Sequence, residues 1–240
     1  MARVPEEFNL PVGTLIGKNY QVIEFLGKGW EGEVYKIEEM RTGIIRAAKL
    51  FYKRQNRTKY PHITYAKKLH LLRHCPVIIR FHYLDTMEVR GENVDYLISD
   101  FIDGQVLSTF VENYRGQRLP LFEAIHLFYA LVRGVEEIHF MQEYHGDIHF
   151  DNVMVRKRGL GFEVHLIDLL HLGRSSRQKI QIDVYDLIET LYLLLGGSPY
   201  YAKLPLPIKY LLCGCKKTLI KQRFQTAGHL RIYLENIQWD

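Results

Sequence analysis

The stretch His145–Asn152 reads HGDIHFDN, and it decides how the rest of the chain is interpreted. The acid Asp147 stands five residues before the amide Asn152, which leads directly into the β-branched and apolar run Val153–Val155. This spacing is typical of phosphoryl transfer, because an Asp can accept the proton of an attacking hydroxyl and an Asn can ligate Mg²⁺ on nucleotide phosphates. An Asp–Asn pair is also common in ordinary turns, so the stretch needs support from other motifs.

Length and composition indicate an ordinary soluble globular protein. The chain has 240 residues, 47% of them hydrophobic and 25% charged, which suits one large domain or a compact two-lobed one. The three cysteines form no disulfide framework, and the first residues lack a cationic segment followed by an apolar one, so we expect a cytoplasmic protein with reduced thiols. No apolar run reaches the length of a membrane span, so no membrane partner is expected.

The net charge of +5 is concentrated in one region. Between Arg41 and His74 there are ten Lys or Arg residues and no Asp or Glu, whereas the rest of the chain has 22 basic and 27 acidic residues. An acidic protein partner that binds this basic region 41–74 is one explanation, and a surface balanced by acids from elsewhere in the fold is the other. No nucleic-acid motif accompanies the charge, so no nucleic-acid partner is expected.

A glycine-rich motif lies near the N-terminus. The strand-like run Tyr20–Phe25 is followed by G-x-G-x-x-G-x-V, formed by Gly27, Gly29, Gly32 and Val34. Glycines in such a hairpin allow backbone N–H groups to lie close to phosphates. A dinucleotide-binding fingerprint has the same glycines but requires a helix to begin at the third one, and here the sequence continues as a strand.

Two further strands carry, near their ends, residues suited to phosphoryl transfer. Ile44–Phe51 contains Ala47 and then Lys49, which is flanked by small and apolar residues. Val164–Ile167 is followed directly by Asp168, whose carboxylate can ligate a hard cation.

With these four motifs in order, the chain resembles the protein-kinase-like superfamily over roughly residues 20–237. It is most similar to bacterial Ser/Thr protein kinases, although His149 stands where aminoglycoside- and choline-type phosphotransferases carry His. The resemblance implies an α+β, two-lobed fold: a small antiparallel-sheet lobe over 1–98, a hinge over 99–104 and a mostly helical lobe over 105–240.

The resemblance also implies ATP and Mg²⁺ as cofactors, and it assigns roles to particular residues. Asp147 would be the base or would orient the acceptor hydroxyl. Asn152 and Asp168 would bind Mg²⁺. Lys49 would bind the α- and β-phosphates, and Gly27, Gly29 and Gly32 would form a lid over them. Val34 and Ala47 would contact the nucleotide, and the backbone of Asp100 and Ile102 would contact the adenine edge.

The sequence departs from the family pattern at the partner of Lys49. Protein kinases have a Glu on the helix after that Lys, and here the matching position lies near Tyr65 or Ala66, with no acid in the segment. We therefore expect Asp168 and the nucleotide, or else Glu33 from the glycine-rich loop, to hold Lys49.

The segment after the metal-binding Asp is unusually short. Only fourteen residues separate Asp168 from Asp183, Leu170 replaces the Gly of Asp-Phe-Gly, and there is no Ala-Pro-Glu. Gly146 stands where many kinases have the Arg that binds an activation-segment phosphate. The sequence therefore predicts a shortened activation segment and activity that does not depend on its phosphorylation. Asp183 is expected to brace the backbone of the catalytic loop.

Periodicity predicts several of the connecting elements. The expected elements are a helix at about Thr64–His74, small-lobe strands over Val77–Tyr83 and Val94–Ile98, a long core helix over Leu121–Met141, and strands Val153–Val155 and Val164–Ile167 joined by a basic turn at Arg156–Gly159.

The predicted function is an ATP- and Mg²⁺-dependent phosphotransferase, with a Ser/Thr protein kinase of bacterial type ranked first. A small-molecule kinase is second, favoured by His149 and the short activation segment. A nucleotide-binding pseudokinase scaffold is third, favoured by the missing Glu.

Overall fold

The computed structural model describes residues 7–53, 61–169 and 173–239. These residues form two compact lobes, the first containing 7–53, 61–73 and 79–102 and the second containing 74–78, 103–169 and 173–239. The elements of the first lobe are β1 (Leu15–Ile16), β2 (Tyr20–Lys28), β3 (Gly32–Glu39), β4 (Ile45–Phe51), α1 (Pro61–Leu71), β5 (Phe81–Val89) and β6 (Glu92–Asp100). Those of the second are β7 (Gln105–Val106), α2 (Leu107–Glu112), α3 (Leu121–Phe140), β8 (Val153–Arg158), β9 (Gly161–Leu166), α4 (Arg177–Leu194), α5 (Ser198–Tyr201), α6 (Leu206–Leu212), α7 (Lys217–Arg223) and α8 (Ala227–Glu235).

The first lobe is built on an antiparallel sheet with the strand order β1-β2-β3-β4-β6-β5. Side chains alternate between the two faces of each strand. Tyr35 and Ile37 of β3 and Ala48 and Leu50 of β4 are fully buried in one core cluster. The residues between them, which include Lys49, therefore lie on the other face of the sheet.

The N-terminal segment of the first lobe is fastened to β3 through a buried carboxylate. Glu33 is fully buried and accepts hydrogen bonds from the backbone N–H groups of Phe8 (2.8 Å) and Asn9 (3.0 Å). The hydroxyl of Tyr52 donates to the same carboxylate at 3.0 Å, and the hydroxyl of Tyr35 donates to it as well. Four donors compensate for the removal of this charge from water.

The structure corrects two of the predicted small-lobe elements. The helix runs over Pro61–Leu71, so it begins and ends three residues before the predicted Thr64–His74, and proline suits its first position. The prediction of a strand over Val77–Tyr83 is wrong, since β5 begins only at Phe81. Val77 belongs to the second lobe, where its carbonyl accepts from the N–H of Leu166 at 2.7 Å. Burial explains the error, because a short buried apolar run has no periodicity that distinguishes a strand from a packed linker. The predicted strand Val94–Ile98 lies within β6 and is confirmed.

The long core helix of the second lobe is confirmed as α3. Ala124, Leu127, Leu131, Val135 and Ile138 are fully buried at helical spacing, and the helix packs against α4 and α8.

The predicted basic turn between the two strands after the catalytic loop is wrong in its position. Arg156 and Arg158 lie in β8 and both bind the carboxylate of Glu163 on β9 at 2.7 Å, so the ladder continues past them. The turn falls at Gly159 and Leu160, where Gly159 has the positive φ of 58°.

Cys75, Cys213 and Cys215 are free thiols. Over residues 7–53, 61–169 and 173–239, no helix has both the length and the apolar character needed to cross a bilayer.

Candidate active site

The loop before β8 holds Asp147 and Asn152 together. The chain makes a short 3-10 turn over Phe150–Asn152, and Asn152 is buried. Its amide nitrogen donates to the carboxylate of Asp147 at 3.1 Å and to the backbone carbonyl of Asp147 at 2.9 Å. The ring of His149 lies against the pair, with Nε2 2.9 Å from the Asn152 amide nitrogen and 3.5 Å from the Asp147 carboxylate. The carboxylate of Asp147 is thus fixed in direction yet remains half exposed.

Asp183 of α4 braces this loop, as the sequence predicted. It is fully buried and accepts from the backbone N–H groups of His145 (2.8 Å) and Gly146 (2.7 Å). His139 adds a third bond, with Nε2 3.1 Å from the carboxylate. Because Nδ1 of His139 accepts from the N–H of Ala227 (3.2 Å), Nε2 carries the proton and donates to Asp183. Helices α3, α4 and α8 therefore position the loop jointly.

Asp168 follows β9 directly and has a left-handed backbone, with φ of 57°. Asp tolerates this region better than most residues do. The residue before it, Ile167, donates its N–H to the carbonyl of Asn152 at 3.0 Å, and its own carbonyl accepts from Nε2 of His145 at 3.0 Å. These two bonds tie the residue just before Asp168 to the catalytic loop.

Asn152 and Asp168 offer ligands that suit Mg²⁺. The nitrogen of the Asn152 amide is used by Asp147, so its oxygen is the atom that can bind a cation, and Asp168 adds a carboxylate. Mg²⁺ in phosphotransferases is usually held by one or two such side chains together with phosphate oxygens. A protein-only cage is a different kind of site, and no cluster of three or more His, Cys, Asp or Glu ligands occurs among the residues that the structure describes.

The glycine-rich motif forms the predicted hairpin between β2 and β3, and no helix begins at its third glycine. The N–H of Gly29 donates to the carbonyl of Gly32 at 2.9 Å and closes the turn. A Cβ atom on Gly32 would lie 1.8 Å from the carbonyl oxygen of Leu50, so only glycine fits there. Gly27 and Gly29 have nothing within 4 Å of such an atom, so open space surrounds them.

Lys49 has a carboxylate partner on the hairpin itself. Its Nζ lies 2.9 Å from Glu31, and its side chain is only 11% exposed. The ring centroid of Tyr65 on α1 lies 5.4 Å from the same nitrogen, within cation–π distance. Tyr65 and Ala66 are the residues nearest the position expected from the sequence for the Glu of the family. The expectation that Glu33 holds Lys49 is wrong, because Glu33 faces the core and fastens the N-terminal segment. Val34 is the residue opposite Lys49 in the ladder, and Glu33 is next to Val34 in the strand. Because neighbouring residues of a strand point to opposite faces, Glu33 points away from Lys49.

The other predicted nucleotide residues occupy the face and edge of the same sheet. Val34 is directly opposite Lys49 in the ladder, and Ala47 is opposite Ser99, so Val34, Ala47 and Lys49 share the face away from the core. Asp100 ends β6, and its N–H donates to the carbonyl of Arg80, so any adenine contact by its backbone falls on its own carbonyl. Ile102 is the last residue of the first lobe.

Asp186 is a second acidic residue of α4 at the catalytic loop, and sequence reasoning missed it. Its carboxylate accepts from the N–H of Ile148 at 3.3 Å. Burial is the largest cause that raises its pKa from 3.8 to about 7; the bond from Ile148 opposes this rise, and the nearby charges of Asp183, Glu189 and Asp147 add to it. The spacing from Asp183 was the available signal, since residues three apart on a helix share a face.

Residues 170–172 of the shortened activation segment, which include Leu170, lie outside the described residues. The hydroxyl of Ser176 caps α4 by accepting from the N–H of Lys179 at 3.4 Å. The hydroxyl oxygen of Ser175 is buried.

Comparisons with known proteins agree with this geometry. The protein kinase domain model matches residues 20–192. Cyclin-dependent kinase B2-2 of Arabidopsis thaliana is 23% identical over 188 residues, which cover 76% of this chain and 59% of that protein. Serine/threonine-protein kinase pakA of Dictyostelium discoideum is 24% identical over 218 residues (81% and 18%), and human serine/threonine-protein kinase Nek11 is 24% identical over 196 residues (78% and 27%).

The chain thus spans from 18% to 59% of the length of these three relatives. The matched residues include the glycine-rich hairpin, Lys49, the catalytic loop and Asp168, and they cover well over half of the 240 residues. The chain belongs to the protein kinase family.

Proposed function

We propose that this chain is a protein kinase that transfers the γ-phosphate of ATP, with Mg²⁺, to a Ser or Thr hydroxyl of a protein acceptor. The observation that carries the proposal is the Asp147–Asn152 pair on a loop that buried Asp183 braces. Protein kinases catalyse mainly by positioning and electrostatic stabilisation, so a fixed acceptor-side carboxylate is the feature the reaction needs.

Each lobe would contribute its own part. In the second lobe, Asp147 would accept the proton of the attacking hydroxyl or orient it, and the oxygens of Asn152 and Asp168 would hold Mg²⁺, which neutralises charge on the phosphates when bound. In the first lobe, Lys49 would hold the α- and β-phosphates, and Gly27 and Gly29 would allow the hairpin backbone to approach them.

Adenine would be contacted by the apolar side chains of Val34 and Ala47 and by the backbone at Asp100 and Ile102. Residues 99–104 would act as the hinge, since the division between the two lobes falls at residue 102. The C-terminal stretch Arg223–Leu230 resembles the last helices of bacterial Ser/Thr kinases, and this resemblance supports a kinase of the bacterial type.

The test is transfer from γ-labelled ATP by wild type and by Asp147→Asn, with protein and small-molecule acceptors in parallel. Asp147→Asn keeps the shape but loses the proton acceptor, so transfer should fall by about a hundredfold or more while ATP binding stays near wild type. Asp151→Asn, on the same loop with a 72% exposed side chain, is the matched control and should leave the rate unchanged. Removal of Mg²⁺ with a chelator should abolish transfer.

Equal rates for wild type and Asp147→Asn would refute catalysis and leave a pseudokinase scaffold that only binds nucleotide. Label found only in extractable small molecules would identify a small-molecule kinase, the alternative favoured by His149 beside Asp147.

We also propose that an acidic protein partner binds the basic region 41–74. Arg46, Lys49 and Lys53 pair with acids of the same lobe. Arg54, Arg57 and Lys59 lie outside the described residues. The exposed cations that remain, and that support the proposal, are Arg41, Lys67 and Arg73. Lys67 is exposed on α1, which has no acidic residue, whereas Lys68 is buried.

Lys67→Glu should weaken partner binding severalfold in a pull-down at low salt, and the effect should shrink at high salt because exposed charges are screened. Lys18→Glu, on the same lobe but outside the region, serves as the control. Binding that ignores both salt and Lys67→Glu would contradict this proposal.

A further inference from the structure

The C-terminal part of the second lobe has a second basic region. From residue 190 to residue 234 there are seven Lys or Arg residues and no Asp or Glu. Arg231 is paired with Glu136 and Glu235. The remaining six have no carboxylate within 4 Å in the part of the second lobe that the structure describes, and they are Lys203, Lys209, Lys216, Lys217, Lys221 and Arg223. This positive charge is therefore not balanced locally by the fold.

Three of these cations line a groove with an apolar and aromatic surface. The groove has a volume of about 870 Å³ and runs along α6, α7 and α8. Lys209, Lys216 and Arg223 line it, and no acidic side chain does so among residues up to 239. Leu206 (79% exposed) and Tyr210 (46% exposed) also line it, which places apolar surface in contact with water.

Arg223 is held in place at this groove by neutral groups. Its guanidinium lies 3.8 Å from the ring centroid of Tyr210, and it donates to the backbone carbonyl of Tyr210 at 2.9 Å. Tyr210 in turn stacks on Tyr233, with ring centroids 5.3 Å apart and an angle of 19°. An ordered guanidinium whose contacts are all neutral is prepared to bind a carboxylate, since little side-chain entropy remains to be lost.

We propose that this groove binds a short carboxylate-rich peptide segment of a protein partner, with an apolar side chain placed against Leu206 and Tyr210. Arg223 would bind a carboxylate in a bidentate manner, and Lys209 and Lys216 would contact others along the groove. Nucleic acid fits less well, because its affinity comes from many phosphate contacts and the groove has three cations beside an apolar floor. Peptide binding does not depend on phosphoryl transfer, so the binding proposal is tested separately from the proposed kinase activity.

The experiment is fluorescence anisotropy with the full chain and a short labelled peptide of alternating glutamate and leucine. Arg223→Gln and the double variant Lys209→Gln/Lys216→Gln should each weaken binding by about tenfold, as expected for loss of charge-assisted contacts. Leu206→Ser should also weaken it, and a peptide with lysine in place of glutamate should not bind. The matched control is Lys203→Gln/Lys221→Gln, which removes two exposed cations of the same region from outside the groove.

Several outcomes would overturn the proposal. Equal losses in the groove variants and in the control variant would mean a diffuse charge effect rather than a site. Equal affinity for a peptide in which serine replaces leucine would remove the apolar contact. Displacement of the peptide by a single-stranded oligonucleotide that binds more tightly would identify nucleic acid as the ligand. Circular dichroism of each variant separates loss of binding from loss of folding.

Discussion

Lys49 keeps a carboxylate partner although the helix after it has no acidic residue. Glu31 supplies the carboxylate from the glycine-rich hairpin, and Tyr65 of that helix places an aromatic ring within cation–π distance of Lys49. The pair has a geometric consequence, because movement of the hairpin moves the group that orients Lys49.

Glu31→Gln should lower kcat/KM for ATP by about three- to tenfold, because an ion pair whose acid is 39% exposed contributes only modest positioning energy. The measurement is initial rate against ATP concentration. Glu24→Gln breaks a 3.6 Å ion pair with Lys36 on the same sheet and should leave kcat/KM unchanged. A kcat/KM for Glu31→Gln equal to or above that of wild type would show that Glu31 does not position Lys49.

Single residues also show which contacts of the candidate site could be predicted from the sequence and which could not. The sequence predicted that Asp183 braces the loop of Asp147 and Asn152, and its bonds to His145 and Gly146 confirm this. The Asp147–Asn152 contact follows from their short spacing along one loop. His139 was missed, because its bond to Asp183 joins residues 44 positions apart in the chain. Gly146 was interpreted as the loss of a phosphate-binding Arg, but its φ of 91° shows that the backbone itself favours glycine there.

At the scale of elements, the glycine-rich hairpin serves two physical purposes. Gly32 allows β3 to lie against β4, and Gly27 and Gly29 leave open space at the turn. Sequence alone does not separate these purposes, because all three glycines fit one motif. The same limitation caused the error at Val77, since an apolar run does not reveal which lobe buries it.

Gly32→Ala should lower the free energy of unfolding by about 1–3 kcal/mol, because its methyl group would overlap the carbonyl of Leu50 and push the strands apart. Gly29→Ala is the control and should change stability by less than about 0.5 kcal/mol, since no atom lies within 4 Å of the added methyl. Urea unfolding of both variants checks this. Equal stability of the two variants would mean that the sheet relaxes around Gly32 without strain.

At the scale of the whole molecule, stability should depend on pH through Asp186. Its pKa of about 7 in the folded protein lies above the ordinary value of 3.8, so the folded state retains a proton that the unfolded chain releases between those values. The contribution of Asp186 to stability is therefore fully present below about pH 4 and is lost as the pH rises to about 7.

Asp186→Asn removes this titration and keeps an acceptor for the N–H of Ile148. The melting temperature of Asp186→Asn, measured relative to that of wild type, should increase as the pH rises from about 4 to about 7. Above about pH 7 the difference between the two melting temperatures should stay constant. Thermal unfolding across this range is the measurement, with Asp151→Asn as an exposed control. A difference that stays constant with pH would rule out a raised pKa for Asp186.

The buried carboxylate of Glu33 determines where a stable fragment of this protein has to begin. The family match covers residues 20–192, but two donors to Glu33 come from Phe8 and Asn9. At the other end, the N–H of Ala227 on α8 bonds His139, which in turn holds Asp183. Each buried polar group left without its partner costs about 1–3 kcal/mol. A fragment cut at the limits of the family match would lose such bonds at both ends, so the unit that folds is longer than the unit that the family signature recognises.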